Sequence, residues 1–324
     1  YLLSSSLLPS LLSMGNFSFG PVSLLCFDRA FSLYPAQNDI RISVSLQIKY
    51  YGVRGSLPVS GPEFARFGGN TTCCYVQYKD TRIVIDAGTG IRVLGLDLMA
   101  TDLPKTGGKL HMLFTHTHWD HIQGFPFFIP AFLPNVELSV YGETKTVPGL
   151  DGNEETWDIE RVLRMQQHFM YFPVGTKYMS SNKSFHAITP DSRFRLGEVE
   201  VSCFALHHPN STLAFRFDAG GKSFVFSTDV EHNEDMIKRL SAFAQGADAL
   251  AYDCQYTTAE YEAGKIGWGH STYESAIEIC KRGNIRNLHM IHHDPLHTDN
   301  TLLSMEADAQ SKFPAATMIP ESYE

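Results

Sequence analysis

Basic residues are scarce in this 324-residue chain and never gather into an arm. There are 26 Lys and Arg against 35 Asp and Glu, a formal charge of −9. A protein that grips a long phosphate backbone needs the reverse balance, because each phosphate contact is made by a cation displacing counterions. The composition argues against a long nucleic acid as partner and leaves small anions in play. The six cysteines, at 26, 73, 74, 203, 254 and 280, are scattered and nowhere show Cys-x-x-Cys spacing. Cys73 and Cys74 are neighbours in an expected strand, so they face opposite ways and cannot pair with each other. Buried, reduced thiols suit a cytoplasmic protein. No internal repeat or low-complexity tract interrupts the main part of the chain.

Charge is missing altogether from residues 1–27, a Leu-, Ser- and Phe-rich stretch that does not begin with Met. A signal peptide needs a basic segment ahead of its apolar core, and the Ser, Pro and Gly interruptions argue against a spanning helix. We read residues 1–45 as an atypical apolar extension, an artefact or a degraded export signal, and leave it out of the fold argument. The remaining residues, 46–324, suffice for one large α/β domain with a substantial core, since 43% of the chain is apolar. No membrane partner is expected, and a homodimer is left open.

What the chain has in abundance is histidine at strand ends. The run Thr115-His116-Thr117-His118-Trp119-Asp120-His121 follows the apolar residues 110–114. In an extended stretch His116 and His118 project to one side, while Asp120 and His121 can turn toward a second position. One cation could sit on the alternating pair; four ligands packed this tightly suggest two. Imidazole with carboxylate suits zinc, manganese or iron rather than calcium. Further ligand types follow other apolar runs: Asp86 after 82–85, His207-His208-Pro209 after 199–206, Asp229 after 223–228, and His292-His293-Asp294-Pro295 after 288–291. His111, His168, His186, His232, His289 and His297 lack ligand spacing and read as packed or solvated.

This order resembles the metallo-β-lactamase superfamily from about Gln47 to the C-terminus. Within it, the marks Tyr51-Gly-Val-Arg-Gly-Ser56, Phe67-Gly-Gly-Asn-Thr-Thr-Cys73, Ile85-Asp-Ala-Gly-Thr-Gly90, the histidine run, Gly267-Trp-Gly-His-Ser271 and His292-His-Asp-Pro295 are similar to a bacterial branch of cyclic-nucleotide-type phosphodiesterases. The resemblance implies an α/β fold, a four-layer αβ/βα sandwich, and makes residues 46–324 a hydrolase domain. It implies that His116, His118 and His208 hold one metal, that Asp120, His121 and His292 hold the other, and that Asp229 bridges them. Asp86 resembles the carboxylate that orients a ligand histidine from behind. In the two doublets the choice of His208 and His292 rests on this likeness; spacing alone leaves His207 and His293 open.

A second likeness concerns the reaction. Ser271-Thr272-Tyr273-Glu274 reads as a capping box with Ser271 as N-cap, ahead of helical spacing at Tyr273, Ala276, Ile277 and Cys280. His270 thus precedes a helix N-terminus, whose dipole opposes an imidazolium. Asp253, closing the apolar run 247–252, is the candidate carboxylate to compensate. The Asp253 and His270-Ser271-Thr272 pattern resembles the Glu and His-Ser-Thr elements of ribonuclease Z-type phosphodiesterases, with Asp replacing Glu. The expected reaction is attack on phosphorus by hydroxide held between two metal ions, zinc or manganese with iron as the further option, on a small phosphodiester or cyclic nucleotide. His270 would protonate the leaving oxygen, and Asp120 counts as catalytic as well as a ligand. Arg54 and Asn70 are weaker candidates for substrate contacts. The alternatives are an acyl, lactone or β-lactam hydrolase, which would need no His270, and a non-catalytic metal-fold binder.

Between His121 and His208 lies an insertion. Phe125, Phe127, Phe128 and Phe132, with Phe169 to Phe172, form either a base-stacking wall or, the preferred reading, core beneath a lid. Residues 158–170 read as a helix, and residues 142–155 as a polar loop.

Overall fold

The strand sequences alternate in a way that dictates two faces. In Thr81–Ile85, Ile83 and Ile85 join one apolar cluster while Val84 joins another. In Lys222–Ser227, Phe224 and Phe226 point one way and Val225 the other. Both faces of these strands are apolar, so both must be covered. The computed structural model, which describes residues 45–323, does this with two sheets face to face and helices outside each.

The first sheet runs, in spatial order, Gln47–Gly52, Cys73–Tyr78, Thr81–Ile85, Gly108–Leu113, Val136–Glu143 and Asn182–Ile188. Its first two pairings are antiparallel and the rest parallel. The second runs Ala316–Met318, Asn287–Ile291, Ala249–Asp253, Lys222–Ser227, Thr212–Ala219, Val199–Leu206 and Arg193–Leu196, with its first four strands parallel. Val76, Ile83 and Leu113 of the first sheet share one buried cluster with Phe215, Phe217, Phe224 and Phe226 of the second. Outside the first sheet, Val84, Met112 and Val140 pack with Ile91, Leu94 and Leu98 of the helix Ile91–Met99. Outside the second, Val225, Leu250 and Leu288 pack with Leu240, Ala276 and Leu302 from the helices Glu234–Phe243, Tyr273–Gly283 and Asp299–Lys312. This is the expected four-layer αβ/βα sandwich.

Several local expectations change. The helix Tyr273–Gly283 is capped by Thr272, whose hydroxyl accepts from Ser275 N, and not by Ser271. Ser271 is fully buried, with its hydroxyl shared among Tyr252, His232 and Ser275. The reciprocal capping box lies instead at Thr257 and Glu260. Residues 142–155 are not a simple loop: Lys145–Pro148 and Glu154–Trp157 pair as a hairpin. The insertion helix is shorter than expected, Ile159–Gln166, started by an Asp158 cap. Phe125 and Phe128 are core, whereas Phe127, Phe169, Met170 and Tyr171 stay exposed. Cys73 and Cys74 do face opposite clusters, and the five described cysteines are buried and unpaired. No described helix is long and apolar enough to cross a membrane. The expectation for residues 1–44 lies outside the described residues.

The layering predicts where truncation hurts. Phe215→Ala, between the sheets, should cost about 3–5 kcal/mol in denaturant unfolding. Met170→Ala, on the exposed crest, should change stability by less than about 0.5 kcal/mol.

Candidate metal centre

Parallel strands from both sheets release the chain at the same edge, and the loops there carry the ligand-type residues. Asp86 follows Thr81–Ile85, the histidine run follows Gly108–Leu113, and His292 follows Asn287–Ile291. Three of these residues leave the strand through a left-handed backbone, with φ of 59° at Asp86, 52° at Asp229 and 62° at His292. Such conformations cost a non-glycine residue on the order of 1 kcal/mol or more and persist where the surroundings over-determine them. After His118 the short turn Trp119–Ile122 swings Asp120 and His121 inward.

The result is two clusters that share one residue. Donor atoms of His116, His118, His208 and Asp229 lie within 4.8 Å of one another, as do those of Asp120, His121, Asp229 and His292. The two oxygens of Asp229 face different ways. Oδ1 is 3.1 Å from His121 Nε2 and 3.2 Å from His292 Nε2, while Oδ2 is 3.6 Å from His116 Nε2 and 3.7 Å from His208 Nε2. Asp120 Oδ2 stands 3.2 Å from His121 Nε2 and 3.3 Å from His292 Nε2. His118 Nδ1 and His208 Nε2 meet at 3.2 Å.

Outer hydrogen bonds aim these rings. Asp86 accepts from His121 Nδ1 at 2.8 Å and from the Thr115 amide and hydroxyl at 2.8 and 2.7 Å. That same hydroxyl accepts from His116 Nδ1 at 3.1 Å. His208 Nδ1 donates to Gly269 O at 2.7 Å, and His292 Nδ1 to Gln255 Oε1 at 3.0 Å. Ser56 N donates to Asp120 Oδ2 at 2.8 Å. In a neutral ring held this way the outer nitrogen carries the proton and the inner one presents its lone pair to the centre. His116 Nε2 and His121 Nε2 are buried there without a hydrogen-bond partner. Buried polar atoms are rarely left so, and a cation among five imidazoles and two carboxylates would satisfy them.

Charge points the same way. Burial holds His116 well below the ordinary imidazole range, with His121 adding to the effect, and burial brings His118 to about 4. Burial alone would raise Asp120 and Asp229, yet the neighbouring His121 and His292 keep both well below the carboxylate range. His121 and His292 rise against their own burial because Asp120 and Asp229 flank them, His292 to about 9. The pair of buried carboxylates demands positive charge in its midst.

The geometry separates the doublets. His208 and His292 enter the clusters, whereas His207 is exposed and His293 turns away to donate to Ile319 O at 2.8 Å. His270 Nδ1 meets Asp253 Oδ2 at 2.9 Å, and its ring stacks on His292 with centroids 5.0 Å apart. Two expectations are corrected. Arg54 is fully buried, and its guanidinium donates to the carbonyls of Gly68, Asp294 and His297, so it braces three loops and does not meet a phosphate. Asn70 is bound through its side-chain amide to Glu321 at 2.9 Å, which removes it from substrate contact. The sequence reading missed Thr115, Gln255 and the backbone groups of Ser56 and Gly269. Thr115 and Gln255 stand beside quoted residues, but backbone donors and acceptors leave no residue-type signal.

The family model described as Beta-lactamase superfamily domain matches residues 81–293, more than half of the chain. The chain belongs to this family. A ribonuclease Z of Picrophilus torridus is 22% identical over 304 residues, covering 81% of this chain and 90% of that one. The metallo-β-lactamase fold protein YhfI from Bacillus subtilis superposes with a TM-score of 0.61 at 17% identity, covering 86% of this chain and 97% of that one. A diphosphatase of the PhnP family superposes with a TM-score of 0.59 at 15% identity, covering 86% and 96%. The superfamily membership and the fold implied by the sequence marks thus stand.

If Asp86 orients His121, Asp86→Ala should weaken metal retention about 10–100-fold in competition with a chelator. Retention equal to that of the parent protein would remove Asp86 from this role.

Proposed function

We propose that the chain is a metal-dependent phosphodiesterase that uses two divalent transition-metal ions, zinc or manganese with iron as the further option, on a small phosphodiester or cyclic nucleotide. The observation that carries this reading is the Asp253–His270 pair, 2.9 Å apart, set against the two-lobed ligand cluster. His116, His118 and His208 would hold one ion and Asp120, His121 and His292 the other. Asp229 would bridge them, as its divided oxygens suggest. When bound, the ions would supply Lewis acidity to a phosphoryl oxygen and a nucleophile at neutral pH.

The chain's own residues do the rest. Asp253 accepts the Nδ1–H of His270 in a hydrogen bond, which fixes the ring; in the imidazolium form, balanced by the Asp253 carboxylate, the Nε2–H is the proton that can be handed onward. Asp253 is itself held by the amides of Val230 and Gln255, so the pair cannot swing freely. His270 Nε2 gives its proton to the departing oxygen as the P–O bond breaks. A relative named ribonuclease Z supports phosphodiester chemistry. The formal charge of −9 favours a small substrate over a long nucleic acid.

The test is a panel of substrates on protein of measured metal content, with His270→Ala alongside. Cyclic nucleotides and alkyl diesters, whose leaving oxygens need a proton, should lose about 10²–10⁴-fold in kcat. A bis-nitrophenyl phosphate, with a stable leaving anion, should lose far less. Hydrolysis of lactones or β-lactams unaffected by His270→Ala would overturn the proposal. Cleavage of RNA with no turnover of small diesters would overturn its substrate size.

A further inference from the structure

The loop 264–269 precedes His270 and contains three glycines with positive φ, 141° at Gly264, 87° at Gly267 and 85° at Gly269. Its residues Ile266 and Trp268 are exposed, so little apolar packing holds it. Yet this loop supplies the carbonyl of Gly269 that receives the Nδ1 proton of His208. A side chain at Gly269 would collide with the His208 ring and Pro209, so the backbone must approach this closely. Something has to fix a glycine-rich segment at that spot.

The fixing group is Glu231, a buried carboxylate two residues beyond Asp229 that the catalytic scheme does not use. Its Oε1 accepts from Tyr261 Oη at 2.8 Å and from Gly267 N at 2.5 Å, and its Oε2 accepts from Gly269 N at 2.9 Å. Its own amide donates to His207 O at 2.7 Å. A closed circuit results. Glu231 N–H holds the backbone beside His208, the His208 ring holds Gly269 O, and Gly269 N–H returns to the Glu231 carboxylate.

We propose that Glu231 is a positioning residue that sets both the His208 ring and the approach of His270 by clamping the backbone of Gly267 and Gly269. The part concerning His270 rests on the function proposed above; the part concerning His208 needs only a metal ligand there. Charge and shape both matter. Three donors converge on two oxygens, and a glutamine would have to turn its NH2 against at least one backbone N–H or the tyrosine hydroxyl. With the clamp gone, Gly269 O no longer fixes the His208 tautomer, and His270 loses its register against Asp253.

The test is Glu231→Gln, read by chelator competition, by the absorption spectrum of the cobalt-loaded protein, and by kcat and KM on a bis-nitrophenyl phosphate and an alkyl diester. We expect metal retention to fall about 10–100-fold, the cobalt bands to shift, and kcat to fall more on the alkyl diester than on the aryl one. KM should stay within about threefold, since uniform binding is untouched. Tyr261→Phe, which keeps both backbone donors, should resemble the parent in all readouts. Parent-like retention and spectrum in Glu231→Gln would overturn the proposal, and so would an equal loss in Tyr261→Phe, which would make Glu231 merely an anchor for the helix Thr258–Glu262. If Glu231→Gln does not fold, Glu231→Asp, which withdraws both oxygens by a methylene, carries the same readouts. Parent protein that turns over no phosphodiester would sink the proposed function while the retention and cobalt measurements still decide Glu231.

Discussion

Asp229 sits fully enclosed between two groups of histidines and turns one oxygen toward each. An ionised carboxylate in such a place is tolerable only with positive charge on both sides, since burial of an unpaired charge costs several kcal/mol. That demand organises the site. It raises His121 and His292 against their own burial, around a residue whose own backbone is left-handed. The sandwich serves this one constraint, bringing strand ends from both sheets within a few ångströms of the same carboxylate.

The rings around it are not left to choose their own orientation. Asp86, Gly269 O and Gln255 each take an outer imidazole proton, which turns the inner nitrogen of each ring toward the centre. Preorganisation of this kind limits rotation at the moment of binding or reaction. Asp253 does the same for His270, whose ring lies against His292 and close to His208. His270 is thereby joined, through Asp253 and Gln255, to the same hydrogen-bonded assembly as His292.

Much of this was visible without a fold. The alternation of His116 and His118, the carboxylate at the end of residues 82–85 and the order of later ligand types all follow from period-two strands that end in short polar loops. The Asp253–His270 contact was expected from two residues 17 apart, and the structure makes it. Arg54 and Asn70 misled because an arginine or asparagine in a glycine-rich turn looks the same whether it meets substrate or braces its own backbone. The Ser271 cap failed for a related reason: Ser and Thr are both good caps, and the packing of Tyr252 and His232 around Ser271 left Thr272 to take the position.

By itself, then, the amino-acid order determined the kind of chemistry, because imidazoles and carboxylates at strand ends are a local matter of residue type and period. Tertiary structure decided what spacing left open, which histidine of each doublet faces inward, and it alone shows that Glu231 reaches across to Gly267 and Gly269. Those outcomes rest on backbone amides and carbonyls, which every residue possesses alike. Only the meeting of distant segments tells one of them from another.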